Sequence, residues 1–156
     1  MTEHNPHMIA HILRKDYPEV ATAIHERISV SLPKDRLTDF EYIPQIIAKY
    51  EAIKGLRKVC WKNNLSLRNR SITKMRVELI AVIFIFYQPE KVIGLTGLNA
   101  KIGLVQAIAI ELKCPRATIS QALRAAVADF KNYKIFRQNV HEISMIIKTE
   151  LKLFLT

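Results

Sequence analysis

Arg116, Ser120, Gln121 and Arg124 lie within nine consecutive residues. In a helix they share one face, and Ile119, Ala122 and Leu123 share the other. A guanidinium can bridge guanine O6 and N7 or hold a phosphate, and a glutamine amide can pair with adenine N6 and N7. The spacing therefore predicts a helix at about residues 115–129, apolar behind and polar in front, of the kind that enters a DNA major groove. Pro115 is expected as its first residue, where the missing N–H costs nothing.

The run before it, Leu104 to Leu112, is amphipathic, so the two segments predict a pair of helices joined by a tight turn. Ala109 supplies the small side chain that a close crossing needs. Ile108, Leu112, Cys114, Ile119 and Leu123 supply shared apolar contacts. The stretch A-I-E-L-K-C-P-R-A-T-I-S-Q-A-L, Ala109 to Leu123, resembles the repressor-type helix-turn-helix motif, in which a Thr-(Val/Ile)-Ser triplet opens the recognition helix. The resemblance covers about residues 104–124. It implies groove-facing positions for Arg116, Ala117 and Gln121, phosphate or base contacts from Thr118 and Ser120, and a core position for Ile119. With Arg124, whose guanidinium can bridge guanine, the base-contact candidates are Arg116, Ala117, Ser120, Gln121 and Arg124. Glycine is usual in the turn of that motif, so Lys113 is expected in a left-handed conformation at a cost of about 1 kcal/mol.

Charge supports a polyanionic partner. The net charge is +10, yet residues 1–51 carry six Lys/Arg against eight Asp/Glu, which leaves the excess on the remainder. Lys113, Lys131, Lys134 and Arg137 are phosphate candidates, adding affinity without sequence information. A second basic segment lies between Glu51 and Glu78, where no acidic residue occurs. There Arg57, Lys58, Lys62, Arg68, Arg70 and Lys74 are further phosphate candidates, alongside Lys54 and Arg76. Trp61 in this segment either anchors packing or stacks on an RNA base. Double-stranded DNA is the expected partner, and a transcriptional regulator the expected role. The alternatives are a helical interaction or assembly module meeting an acidic protein, and an RNA-binding protein using residues 54–76.

Several classes find no support. The longest apolar run, Leu79 to Tyr87, is nine residues, whereas a membrane span needs roughly 20. Cys60 and Cys114 are far apart, without a C-x-x-C spacing or a signal peptide, which predicts a reducing cytoplasm. His4, His7 and His11 could share a helical face, but no cysteine or carboxylate pair accompanies them as metal ligands. Gly94-Leu95-Thr96-Gly97 has neither the length nor the lysine of a phosphate loop. No enzyme, metal or cofactor is expected.

With four glycines, the chain reads as an all-α helical bundle carrying a C-terminal helix-turn-helix. Helices are expected from about Pro6 to Lys15 and from the Asp16-Tyr17-Pro18-Glu19 cap to near Leu32, the second burying Val20, Ala23, Ile24 and Ile28. A capping box at Thr38, a short turn and a helix from Pro44 should follow, stopped by Gly55. A central buried helix is expected over Ile72–Tyr87, a connector over 88–103 with one turn at Glu90–Ile93, and a last helix over Arg137–Phe154. Glycines in the connector divide residues 1–88 from 89–156, as two parts or one continuous domain. The stripe Val140, Ile143, Ile147, Leu151 and Phe154 either covers its own core or forms a homodimer interface.

Overall fold

The computed structural model describes residues 5–31, 36–56, 61, 70–93 and 99–153. Among them the chain is all-helical, with no strand. The α-helices are α1 (Pro6–Asp16), α2 (Pro18–Ser31), α3 (Ile43–Ile53), α4 (Arg70–Tyr87), α5 (Pro89–Ile93), α6 (Leu104–Leu112), α7 (Arg116–Asn132) and α8 (Lys134–Glu150). None of the described helices is long and apolar enough to cross a membrane.

The centre is α4. From Leu79 to Tyr87 every residue but Ile85 is buried, because a helix apolar on all sides must be covered on all sides. The cover comes from α3, α5, α7 and α8, with α6 closing against α3 and α7. One continuous core runs from Leu37 to Leu153. Packing thus crosses the glycine-marked position near residue 88.

Local signals explain most boundaries. Asp39, rather than Thr38, caps the short 3₁₀ turn Phe40–Tyr42, its carboxylate accepting from the Glu41 N–H at 2.9 Å. α3 then starts with Pro44 in its first turn and stops at Gly55, which has φ +65°. The Leu56 N–H reaches back to the Glu51 carbonyl and the Gly55 N–H to Ala52, the pairing of a Schellman cap. α8 begins at Lys134, three residues before the expected Arg137, because the chain turns through a single extended residue, Tyr133, with φ −120°. Val140, Ile143 and Ile147 of α8 are buried inside this chain, so that part of the stripe covers the protein's own core. Phe154 lies outside the described residues.

One expectation fails in the N-terminal helices. Val20, Ala23 and Ile24 of α2 are exposed, not buried. The reason is topological: α1 and α2 contact each other, and neither has a substantial contact with α3–α8. The side chain of Ile28 lies outside the described set.

Tyr50 and Glu78 are paired inside the bundle. The Tyr50 hydroxyl donates to Glu78 Oε1 at 2.8 Å, and Lys54 Nζ meets the same oxygen at 2.7 Å. Burial and the Glu78 carboxylate push the Tyr50 hydroxyl well above the usual tyrosine range. The folded state holds this proton while the unfolded state releases it near pH 10, so this group's contribution to stability is constant below pH 10 and falls as pH rises beyond it. Tyr50→Phe should cost about 1.5–3 kcal/mol at pH 7, by removing a hydrogen bond to a charged group. Above pH 10 its stability should fall less steeply than wild type, by up to about 1.4 kcal/mol per pH unit. Urea unfolding across pH 7–11.5 checks both; parallel profiles would contradict the assignment.

Candidate nucleic-acid interface

The expected pair of helices is present as α6 and α7, and its corner is set by backbone geometry. Lys113 adopts φ +54°, ψ +39°. Its N–H donates to the Ile110 carbonyl at 3.2 Å, and the Cys114 N–H donates to Ala109 at 3.0 Å. This is again the Schellman pairing, with lysine where glycine is usual. Ala109 and Cys114, the positions that such a cap brings together, are both buried. Pro115 is not the first helical residue but the cap before it, with ψ 145°. Its carbonyl accepts from the Thr118 and Ile119 N–H groups, which anchors the first turn of α7.

Helix α7 divides as its sequence demands. Ile119, Ala122, Leu123, Ala126 and Phe130 are buried. Arg116, Ala117, Gln121, Arg124, Ala128 and Lys131 are exposed, while Thr118 and Ser120 are half-buried at the margins. The outward stripe thus alternates small residues with long polar ones, leaving nothing bulky between Gln121 and Arg124. Asp129 is the single carboxylate of α7, and partial burial raises its pKa. The face has almost no competing negative charge.

Two open clefts flank this stripe. One, of about 450 Å³, separates α7 from α4 and is lined by Thr73, Arg76 and Val77 on one side and Thr118, Gln121, Ala122 and Ala125 on the other. The other, of about 420 Å³, brings Lys91, Asn99 and Ala100 beside Arg116, Ser120 and Arg124. Thr73, Lys91 and Asn99 were not among the sequence candidates. They stand 25 or more residues from α7 or sit in the connector, and no local spacing signals such a juxtaposition. The second cleft places Lys91 alongside the two arginines of α7.

The second basic segment is only partly joined to this surface. Lys74 is exposed on α4, next to Thr73 on the flank of the first cleft. Arg76 is 3% exposed and faces inward. Its Nε and guanidinium nitrogen donate to the Trp61 carbonyl at 3.1 and 2.6 Å. The Cys114 thiol, at 3.2 Å, donates to the same oxygen. Trp61 itself is buried, and its ring nitrogen donates to Glu51 at 2.9 Å. It is a packing anchor and has no face to offer an RNA base. Lys54 pairs with Glu78. Arg57, Lys58, Lys62 and Arg68 lie outside the described residues, as does the side chain of Arg70.

At the far end of α7, about 22 Å along the helix from Arg116, Lys131 is exposed, as is Lys134 at the start of α8. Arg137 is occupied there: it donates to the Phe130 and Lys131 carbonyls at 2.8 and 3.0 Å, capping α7. Like Lys54 and Arg76, it is already employed by the fold. His4 and the side chain of His7 lie outside the described residues.

No family model, curated protein or solved structure matches the chain.

A lysine in the left-handed region costs about 1–2 kcal/mol relative to a permitted conformation. Lys113→Gly should therefore stabilise the protein by about 1 kcal/mol after the greater unfolded-state entropy of glycine is subtracted. That corresponds to a melting temperature higher by about 2–4 °C. Lys152, the other non-glycine residue with positive φ among those described, should give a similar gain on Lys152→Gly. Calorimetry of both variants checks this; no gain at either position would contradict the backbone assignment.

Proposed function

We propose that this protein binds double-stranded DNA through α7, with the helix laid in the major groove, and acts as a sequence-specific transcriptional regulator. The observation that carries this is the outward stripe of α7: Arg116, Ala117, Gln121 and Arg124 stand free, while Ile119 and Leu123 behind them are fully packed. A rigid helix with an uncluttered polar face is suited to base edges, because the side chains are positioned before binding. The α6–α7 corner is the helix-turn-helix of this reading, with Lys113 at its turn.

The roles divide by position. Gln121 and Arg124 are the base-reading pair, with Arg116, Ala117 and Ser120 at the edges of the footprint. Lys113, Thr118 and Lys74 border the stripe and hold phosphates on the α4 side, and Lys131 and Lys134 do so at the far end. The burial of Trp61 favours this arrangement over RNA binding, because base stacking needs an accessible ring.

A gel shift with random duplex DNA should show affinity that falls steeply with salt. Lys113→Gly should lower the slope of log K against log salt by about 1 while leaving sequence preference intact. On a site selected from a random pool, Gln121→Ala and Arg124→Ala should each cost about 1–3 kcal/mol, and much less on random DNA. No binding to duplex DNA at low salt would overturn the proposal. Equal losses on selected and random DNA would reassign both residues to the backbone.

A further inference from the structure

Large apolar side chains are exposed on the bundle too, among them Ile102, Ile110, Ile135 and Met145, but α1 and α2 are the described helices with no substantial contact to the rest. Among their described side chains only Ala10, Leu13 and Ala21 are half-buried, and the others are exposed. Met8, Ile9, Ile12, Tyr17, Val20 and Ile24 are between 40 and 62% exposed. Met8 and Ile12 are four apart on α1, and Val20 and Ile24 are four apart on α2, so each helix carries an apolar stripe. The helices meet at Tyr17, whose N–H donates to Leu13 and whose carbonyl accepts from Ala21. They form an arm that the core does not cover.

We propose that this arm is a self-association surface and that its occupant is the same arm of a second copy, paired antiparallel. Two observations select that partner. The first is area. Large apolar residues expose ~150–200 Å² each when free, so these fractions leave roughly 500 Å² of apolar surface per copy. A standard interface buries about 800 Å² per partner, of which somewhat over half is apolar. One arm therefore supplies the apolar share of one side of a stable dimer.

The second is charge. Residues 5–31 carry three Lys/Arg and three Asp/Glu, so two arms can meet without the repulsion that two basic bodies would suffer. The signs are also ordered. Arg14 and Lys15 occupy the last turn of α1, and Glu19 the first turn of α2. With a twofold axis near Tyr17, α1 of one copy lies along α2 of the other. That register sets Arg14 opposite Glu19, Leu13 opposite Val20, and Ile9 opposite Ile24. It also holds two basic bodies apart at the ends of a neutral joint, a geometry independent of whether those bodies bind DNA.

Sedimentation equilibrium of the full chain without nucleic acid tests this. Wild type at about 10 μM should sediment at twice the chain mass of 18.0 kDa. Ile12→Asp with Ile24→Asp should sediment as a monomer, with a dissociation constant raised at least ~100-fold. Arg14→Glu with Lys15→Glu should also dissociate the dimer, and adding Glu19→Lys should restore it. That rescue separates a paired interface from an arm that merely unfolds. A wild-type chain that stays monomeric to ~100 μM would overturn the proposal, and so would a dimer indifferent to Ile12→Asp/Ile24→Asp. Monomeric protein that instead co-sediments with anionic lipid vesicles would reassign the arm to a membrane surface.

Discussion

A helix with no polar side has to be surrounded, and the rest of the bundle follows from that requirement on α4. Leu79, Ile80, Val82, Ile83 and Phe84 are completely buried, and at about 25 cal/mol per Å² such side chains contribute about 1.5–3 kcal/mol each. No single neighbour can cover them. α3, α5, α7 and α8 share the task, and each spends its own apolar stripe on it. For α7 this fixes orientation: once Ile119, Ala122, Leu123 and Ala126 turn inward, Gln121 and Arg124 have only one direction left. The candidate interface is the remainder of a packing problem solved at α4.

A second junction ties that interface to the core. The Trp61 carbonyl receives both the buried Arg76 guanidinium and the Cys114 thiol, while the indole nitrogen reaches Glu51. One residue thereby links α3, α4 and the α6–α7 corner. A buried guanidinium without partners would be very costly, so Arg76, Trp61 and the corner hold one another in place. Lys113 is strained within this frame, as a left-handed lysine whose N–H is nevertheless bonded. Local backbone cost is offset by the packing of Ala109 and Cys114 beneath it.

Periodicity made much of this legible. The apolar run at Leu79–Tyr87 announced a central helix, Gly55 announced a stop, and the split of α7 into Ile119/Leu123 and Gln121/Arg124 needed only a 3.6-residue repeat. What stayed hidden was tertiary. The stripe of Val20 and Ile24 looks no different from a core-facing stripe, and what distinguishes it is that no other described helix beyond α1 has a substantial contact with α2. Arg76 read as one more cation in a basic run, because no local pattern reveals that it faces the Trp61 carbonyl. Lys91 and Asn99 join Arg116 and Arg124 only through the packing of α5 on α7. Even the left-handed turn at Lys113 was visible only through a resemblance, since lysine carries no propensity for it.

The central claim is that the exposed face of α7 meets the duplex. Amide chemical-shift mapping of the isotope-labelled protein, titrated with duplex DNA, tests it most directly. The expected result is a contiguous set of shifts over Lys113–Arg124, extending to Thr73 and Lys74 on α4, with the buried half of α4 unchanged. Shifts confined to α1 and α2, or no shifts at saturating duplex, would contradict it.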